Sequence, residues 1–125
     1  MIRFSIPETL PPLNVLLRLH WSKRRQVSLR VAWMVKQGLF EAHHPVGAAP
    51  LSRCRVRIVR YSRREPDVDS LPSTAKLLLD VLQPHSKRHP LGLGLIEDDT
   101  RSCIVDFSVK HAPGKNRTDV EIEPA

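Results

Sequence analysis

The sequence has two cysteines, six aromatic residues and no long apolar run. Cys54 and Cys103 lack a metal-binding spacing such as CxxC, and a disulfide framework needs more cysteines, so we expect two buried reduced thiols. No segment approaches the roughly 18 apolar residues of a membrane span. The first residues also lack the hydrophobic region of a signal peptide. These absences predict a cytoplasmic protein without a membrane segment.

The chain is strongly basic, because 20 Lys and Arg against 13 Asp and Glu give a net charge of +7. Such a charge attracts polyanions. The stretch from Arg18 to Arg64 holds twelve Lys and Arg but a single acid, Glu41. A basic half beside concentrated acids is what a metal-dependent enzyme acting on a polyanion needs. Those acids are Glu65, Asp67, Asp69, Asp80, Glu97, Asp98 and Asp99.

Length and hydropathy pattern predict one domain, residues 1–125, of the α/β or α+β class. We expect a mixed sheet with two main helices. The predicted strands are 2–6, 53–60, 95–96, 103–109 and, at a sheet edge, 118–122. The predicted helices are 22–40, capped by Ser22, and 71–82.

In the predicted strand 53–60, basic and apolar residues alternate, as expected for one buried and one exposed face. The exposed arginines either contact phosphates or form a solvated sheet surface, and the sequence leaves both alternatives open. Phosphate contacts would make affinity fall steeply with salt. The exposed face would carry Arg53, Arg55 and Arg57, and the buried face Cys54, Val56 and Ile58.

Asp67-Val68-Asp69 places two carboxylates two residues apart. If this segment is extended, both side chains leave the same face and repel each other unless a hard dication neutralises them. A charged turn without a ligand is the alternative. Asp69 or Ser70 is a candidate N-cap for the next helix, whose first turn alone tolerates Pro72.

Lys76 and Asp80 lie one turn apart on that predicted helix. They form either a surface ion pair worth a few tenths of a kcal/mol or a pair that orients the Lys76 ammonium toward a reacting phosphate. Asp98 and Asp99 follow a short apolar run, as carboxylates at the end of a strand do. Solvated turn acids are the alternative, and only the other candidate site residues favour a site over it. Together these residues predict phosphodiester hydrolysis assisted by Mg²⁺, with Mn²⁺ as a possible substitute.

The order and spacing of these motifs resemble the RusA family of Holliday-junction resolvases, found largely in prophages. The family's PPSxN-like opening is similar to residues 10–14, which precede the basic stretch 20–25. Its DxDNL…K…LD core is similar to residues 67–71 with Lys76 and Asp80, and its closing G-(V/L)-I-x-DD element to residues 94–99. Two differences are Ser70, where the family usually has Asn, and a longer step from Asp67 to Lys76.

The resemblance implies a RusA-like fold and a Mg²⁺-dependent homodimer that cuts branched double-stranded DNA symmetrically in recombination and repair. Asp67, Asp69 and Asp99 match the family's essential acids, Asp98 joins them as a metal ligand, and Lys76 matches the essential lysine. We assign DNA contacts to basic residues that precede or follow the predicted strand 53–60: Arg18, Lys23, Arg24, Arg25, Arg63 and Arg64.

Two other functions are open. The chain could be a phage DNA-binding protein that has kept this fold but lost or altered the nuclease activity. An RNA-binding domain ranks last, because single-strand readers use aromatic stacking platforms and no strand here is rich in aromatic residues.

Overall fold

A four-stranded mixed sheet lies against the helices in the computed structural model, which describes residues 1–45, 47–67 and 69–125. This confirms the predicted α+β class with a mixed sheet. Along the chain the elements are β1 (Ile2–Ile6), α1 (Leu13–Arg18), α2 (Trp21–Glu41), β2 (Cys54–Ser62), a 3₁₀ helix (Pro72–Ala75), α3 (Lys76–Leu82), β3 (Ile104–Pro113) and β4 (Arg117–Pro124).

The sheet has the order β1-β4-β2-β3. β4 runs antiparallel to both β1 and β2, whereas β2 and β3 are parallel. A parallel pair needs a crossover connection, which the 3₁₀ helix and α3 supply here. The prediction that 118–122 forms an edge strand was wrong, since β4 lies between two partners. Local periodicity cannot show which strands pair, because pairing joins residues more than a hundred positions apart in the chain.

The hydrophobic core lies between one face of the sheet and helices α2 and α3. The predicted alternation of β2 is confirmed, with Cys54, Val56 and Ile58 buried on the inner face. Gly38 of α2 is buried, and a Cβ at this position would lie 2.9 Å from the backbone oxygen of Ser5 on β1. Glycine at this position therefore permits a close approach of α2 to the sheet.

Two local predictions differ from the structure, and one helix was not predicted. The N-cap of α2 is His20, whose Nδ1 accepts a hydrogen bond from the Ser22 backbone N–H at 3.2 Å, so Ser22 is not the cap. The predicted strand 95–96 reduces to a single parallel bridge between Leu51 and Ile96. Helix α1 was not predicted, and Pro12 is its N-cap.

Two expectations that came from scarce residue types can be compared with the structure. Cys54 and Cys103 are free and buried, as expected. Within the described ranges, none of the helices combines the length and apolar character that crossing a membrane requires.

Candidate active site

The first acidic segment lies in the connection between β2 and the 3₁₀ helix. Asp67 and Asp69 are both exposed, and Val68 lies outside the described residues. The backbone oxygen of Asp67 accepts hydrogen bonds from the N–H groups of Ser70 and Leu71, each at 3.0 Å. The chain therefore turns after Asp67 instead of continuing as an extended segment.

The helical start that follows differs from the predicted one. Neither Asp69 nor Ser70 caps a helix by its side chain; Leu71 precedes the 3₁₀ helix and Ala75 precedes α3, both without side-chain caps. Pro72 occupies the first position of the 3₁₀ helix, as its missing N–H requires. The longer step between the acids and the lysine thus forms a 3₁₀ turn, and Lys76 is the first residue of α3.

Lys76 makes the predicted ion pair with Asp80, with 2.9 Å between Nζ and Oδ1. The same carboxylate lies 3.9 Å from the Nδ1 atom of His89. Asp80 also lines a cavity of about 230 Å³ between α2 and α3, together with Arg25 and Arg88. The pair is confirmed, while a catalytic role for Lys76 stays a prediction.

The second acidic segment, Asp98-Asp99, precedes β3 and is exposed. The Asp99 N–H donates to the Asp98 Oδ1 atom at 2.8 Å, so one carboxylate is partly used in holding its own turn. Just before it, the Glu97 N–H donates to the backbone oxygen of Leu51 at 3.0 Å. These contacts place the segment beside the amino end of β2.

The two acidic segments leave the sheet at different ends. Asp67 follows the carboxyl end of β2, whereas Asp98 and Asp99 precede the amino end of β3. Since these parallel strands pair from Cys54 to Ser62, the two strand ends are roughly 26 Å apart at about 3.3 Å per residue. Among residues 1–45, 47–67 and 69–125, no three His, Cys, Asp or Glu side chains form a group that could hold a metal ion. The carboxylates have suitable chemistry for Mg²⁺, but this conformation does not assemble them into one site.

The basic residues predicted to contact DNA are all exposed. They lie at the end of α1, in the first turn of α2 and directly after β2. In the part of the chain that the structure describes, none of them lies within 4.0 Å of a carboxylate. Free, exposed cations are what backbone phosphate contacts require. They are Arg18, Lys23, Arg24, Arg25, Arg63 and Arg64.

The outer face of β2 resolves one open alternative. Arg57 lies 2.9 Å from the Glu121 carboxylate and 3.3 Å from that of Glu123, and Arg3 lies 3.4 Å from Glu121. These acids belong to β4, between β1 and β2. For Arg57 the paired sheet surface is therefore favoured over phosphate contact.

Two basic residues that the sequence prediction did not include lie beside Arg63 and Arg64. Arg60 and Lys115 line a cavity of about 950 Å³ with them. A signal for Arg60 was available, because it shares the even-numbered register of Cys54, Val56 and Ile58 on the inner face. An arginine in the buried register of a strand is unusual unless it has a partner.

Neither the models of known protein families nor the curated proteins contain a match to this chain.

Proposed function

We propose that the protein is a Mg²⁺-dependent endonuclease that resolves four-way DNA junctions by paired phosphodiester hydrolysis in the cytoplasm. The observation that supports this best is the exposed connection after β2. It carries Arg63 and Arg64, which have no carboxylate partner among the described residues, and, three residues after Arg64, the first of the exposed acids Asp67 and Asp69. Cations that bind a phosphate backbone therefore lie a few residues from carboxylates suited to a hard dication.

In this proposal the basic residues bind the DNA backbone and keep the scissile phosphate near the acids. The Lys76 ammonium, oriented by Asp80 at 2.9 Å, stabilises negative charge on the phosphate oxygens. Mg²⁺, or Mn²⁺ in its place, is included on the chemistry of the carboxylates alone, because the described conformation does not bring Asp67 and Asp69 together with Asp98 and Asp99. A bound metal would polarise the phosphate and activate a water molecule.

The proposal includes a homodimer, because a junction with two-fold symmetry is cut in pairs by two equivalent sites. Helix α2 offers an apolar surface for a second copy, since Trp33 and Phe40 are 68% and 77% exposed and Leu29 is also exposed. Exposed apolar residues of this size on one helix are typical of an interaction surface.

The test is cleavage of a synthetic four-way junction, labelled on each strand in turn, by the wild type, Asp69→Asn and Asp106→Asn. Asp106 is an exposed acid of β3 outside both acidic segments and serves as the matched control. We expect wild type and Asp106→Asn to make symmetric paired nicks with Mg²⁺ and none with chelator. Asp69→Asn should lose roughly a hundredfold or more in rate, while its junction affinity stays within about twofold.

The outcomes separate the alternatives. Equal cutting by Asp69→Asn would contradict the site, and single unpaired nicks would contradict the dimer. The second candidate function, DNA binding without cleavage, is favoured by the lack of a three-acid metal group among the described residues. A wild type that binds junctions but cuts none with Mg²⁺ or Mn²⁺ would establish that function instead.

A further inference from the structure

The cavity beside the carboxyl end of β2 has a wall of mostly basic and polar residues. Its volume is about 950 Å³, and it is formed by the end of β2, the connection after it and the turn between β3 and β4. Glu65 is the one acid among the described residues that line it. The residues that determine its charge and hydrogen-bonding character are Arg60, Arg63, Arg64, Lys115, Asn116 and Thr9.

Arg60 is the least solvated of these cations. It lies in the inward register of β2 and is half-buried. Its Nε atom is buried, and no hydrogen-bond partner for it occurs among the described residues. Burial lowers the pKa of the Arg60 guanidinium, which reports that its charge is poorly solvated. An arginine stays charged under all ordinary conditions, so an anion in the cavity would offset the poor solvation of this charge.

The protein itself does not supply that anion in the described conformation. None of Arg60, Arg63, Arg64 and Lys115 has a carboxylate within 4.0 Å in residues 1–45, 47–67 and 69–125. On the outer sheet face, by contrast, Arg3 and Arg57 are paired with acids of β4. Four cations without a carboxylate partner among the described residues therefore surround this cavity, and the planar guanidinium donors of arginine match phosphate oxygens well.

We infer that this cavity is a phosphate-binding site in which Arg60 is the buried anchor, Arg63, Arg64 and Lys115 complete the charge, and the ligand is a backbone phosphate of DNA. The identity of the ligand rests on the proposed function; the existence of a phosphate site does not. The site adds Arg60 and Lys115 to the DNA-contacting residues, and it positions DNA at the connection that carries Asp67 and Asp69.

The first test titrates inorganic phosphate into the ¹⁵N-labelled wild type, with chloride at equal ionic strength as the reference. We expect the Nε–H signal of Arg60 and the backbone amide of Lys115 to shift and saturate with phosphate but not with chloride. Absence of a saturable shift at both positions would overturn the phosphate site.

The second test measures binding of plain duplex DNA as a function of salt for Arg60→Gln, Lys115→Gln and the control Arg57→Gln. Arg57 lies on the same strand but is paired with acids. Losing one phosphate contact should lower the salt slope by about 0.9 and the affinity by roughly five- to tenfold in Arg60→Gln and in Lys115→Gln. Arg57→Gln should stay within about twofold of the wild type. Lys115 lies in an exposed turn, so its variant keeps the test valid if Arg60→Gln does not fold.

The proposed nuclease function and the proposed phosphate site can be refuted independently of each other. A protein that never cuts junctions but loses duplex affinity in Arg60→Gln or Lys115→Gln would refute the nuclease and support this site. Phosphate shifts without any change in DNA affinity in both variants would show a site for free phosphate and would overturn its assignment to DNA. Equal losses in all three variants would mean that overall charge, not this cavity, determines binding.

Discussion

Two arginines of β2, three residues apart, have opposite environments. Arg57 lies on the outer face of the sheet, where Glu121 and Glu123 neutralise it. Arg60 lies on the inner face, where burial lowers its pKa and its Nε atom lacks a partner among the described residues. The same residue type on the same strand thus serves sheet stability in one position and is available to a ligand in the other.

The difference follows from the side-chain period of a strand. Successive residues point to opposite faces, so an odd step of three moves an arginine to the other side of the sheet. The acids of β4, which are Asp119, Glu121 and Glu123, all have one parity and therefore lie on the outer face. Glu121, directly opposite Arg57 in the antiparallel register, and Glu123 pair with Arg57, whereas Asp119 pairs with Arg117. None of these β4 acids points to the inner face.

Cys54, at the amino end of β2 on the inner face of the sheet, is a buried group that can stay neutral. Burial raises the pKa of the Cys54 thiol to about 11, and the neighbouring Cys103 adds to the shift. Cys54 responds to its environment by keeping its proton, whereas Arg60 cannot lose its own. Three substitutions, in order of decreasing expected effect, test this contrast between buried, paired and unpaired groups.

The largest effect is expected in alkali from Cys54→Ala. The thiol pKa is higher in the folded than in the unfolded protein, so its contribution is complete below pH 9 and is lost as pH rises from about 9 to about 11. The contribution is roughly 2 to 3 kcal/mol. We therefore expect wild type to lose that much more stability than Cys54→Ala across this interval, measured by urea unfolding. Parallel pH profiles for the two proteins would contradict it.

An intermediate effect, of opposite sign, is expected from Arg60→Met. Removing a poorly solvated charge while keeping the apolar side-chain stem should raise the free energy of unfolding by about 1 kcal/mol in phosphate-free buffer. Adding excess phosphate should stabilise the wild type and not the variant. The control is Arg57→Met, which removes a paired arginine and should not stabilise. If both variants lose stability equally, the two environments are energetically alike.

The smallest effect is expected from Glu121→Gln, which removes the carboxylate shared by Arg3 and Arg57. Exposed ion pairs contribute little, so the free energy of unfolding should fall by less than about 1 kcal/mol. Duplex DNA affinity should rise by about two- to fivefold, because Arg3 becomes free to bind phosphate and Arg57 keeps only its pair with Glu123. Unchanged affinity in a fluorescence anisotropy titration would show that carboxylate pairing is not what keeps this face from binding DNA.

Local patterns predicted those parts of the fold that depend on residues close in the chain. Strand β1, the alternation of β2 and the body of α2 follow from periodicity. The helix starts were harder, because Ser22 and Ser70 are plausible caps that the chain does not use. Capping depends on the backbone path into the helix, and that path is set by the elements packed on either side.

The candidate site divides in the same way. The i,i+4 pair of Lys76 and Asp80 was predictable, since helix geometry brings these positions together. The gathering of Asp67 and Asp69 with Asp98 and Asp99 was a prediction about tertiary structure. The described conformation does not assemble them, because the parallel β2–β3 pair separates the strand ends from which the two segments leave.

By itself, the sequence determined a basic α+β domain with buried thiols and two exposed acidic segments, since composition and periodicity specify which groups can be buried. Only the tertiary structure decided which cations are neutralised. Insertion of β4 beside β2 brings acids more than sixty residues away onto the outer arginines. Arg60, Arg63, Arg64 and Lys115 lie outside that pairing, and the acids that reach Arg57 depend on a strand order that no local pattern in the chain specifies.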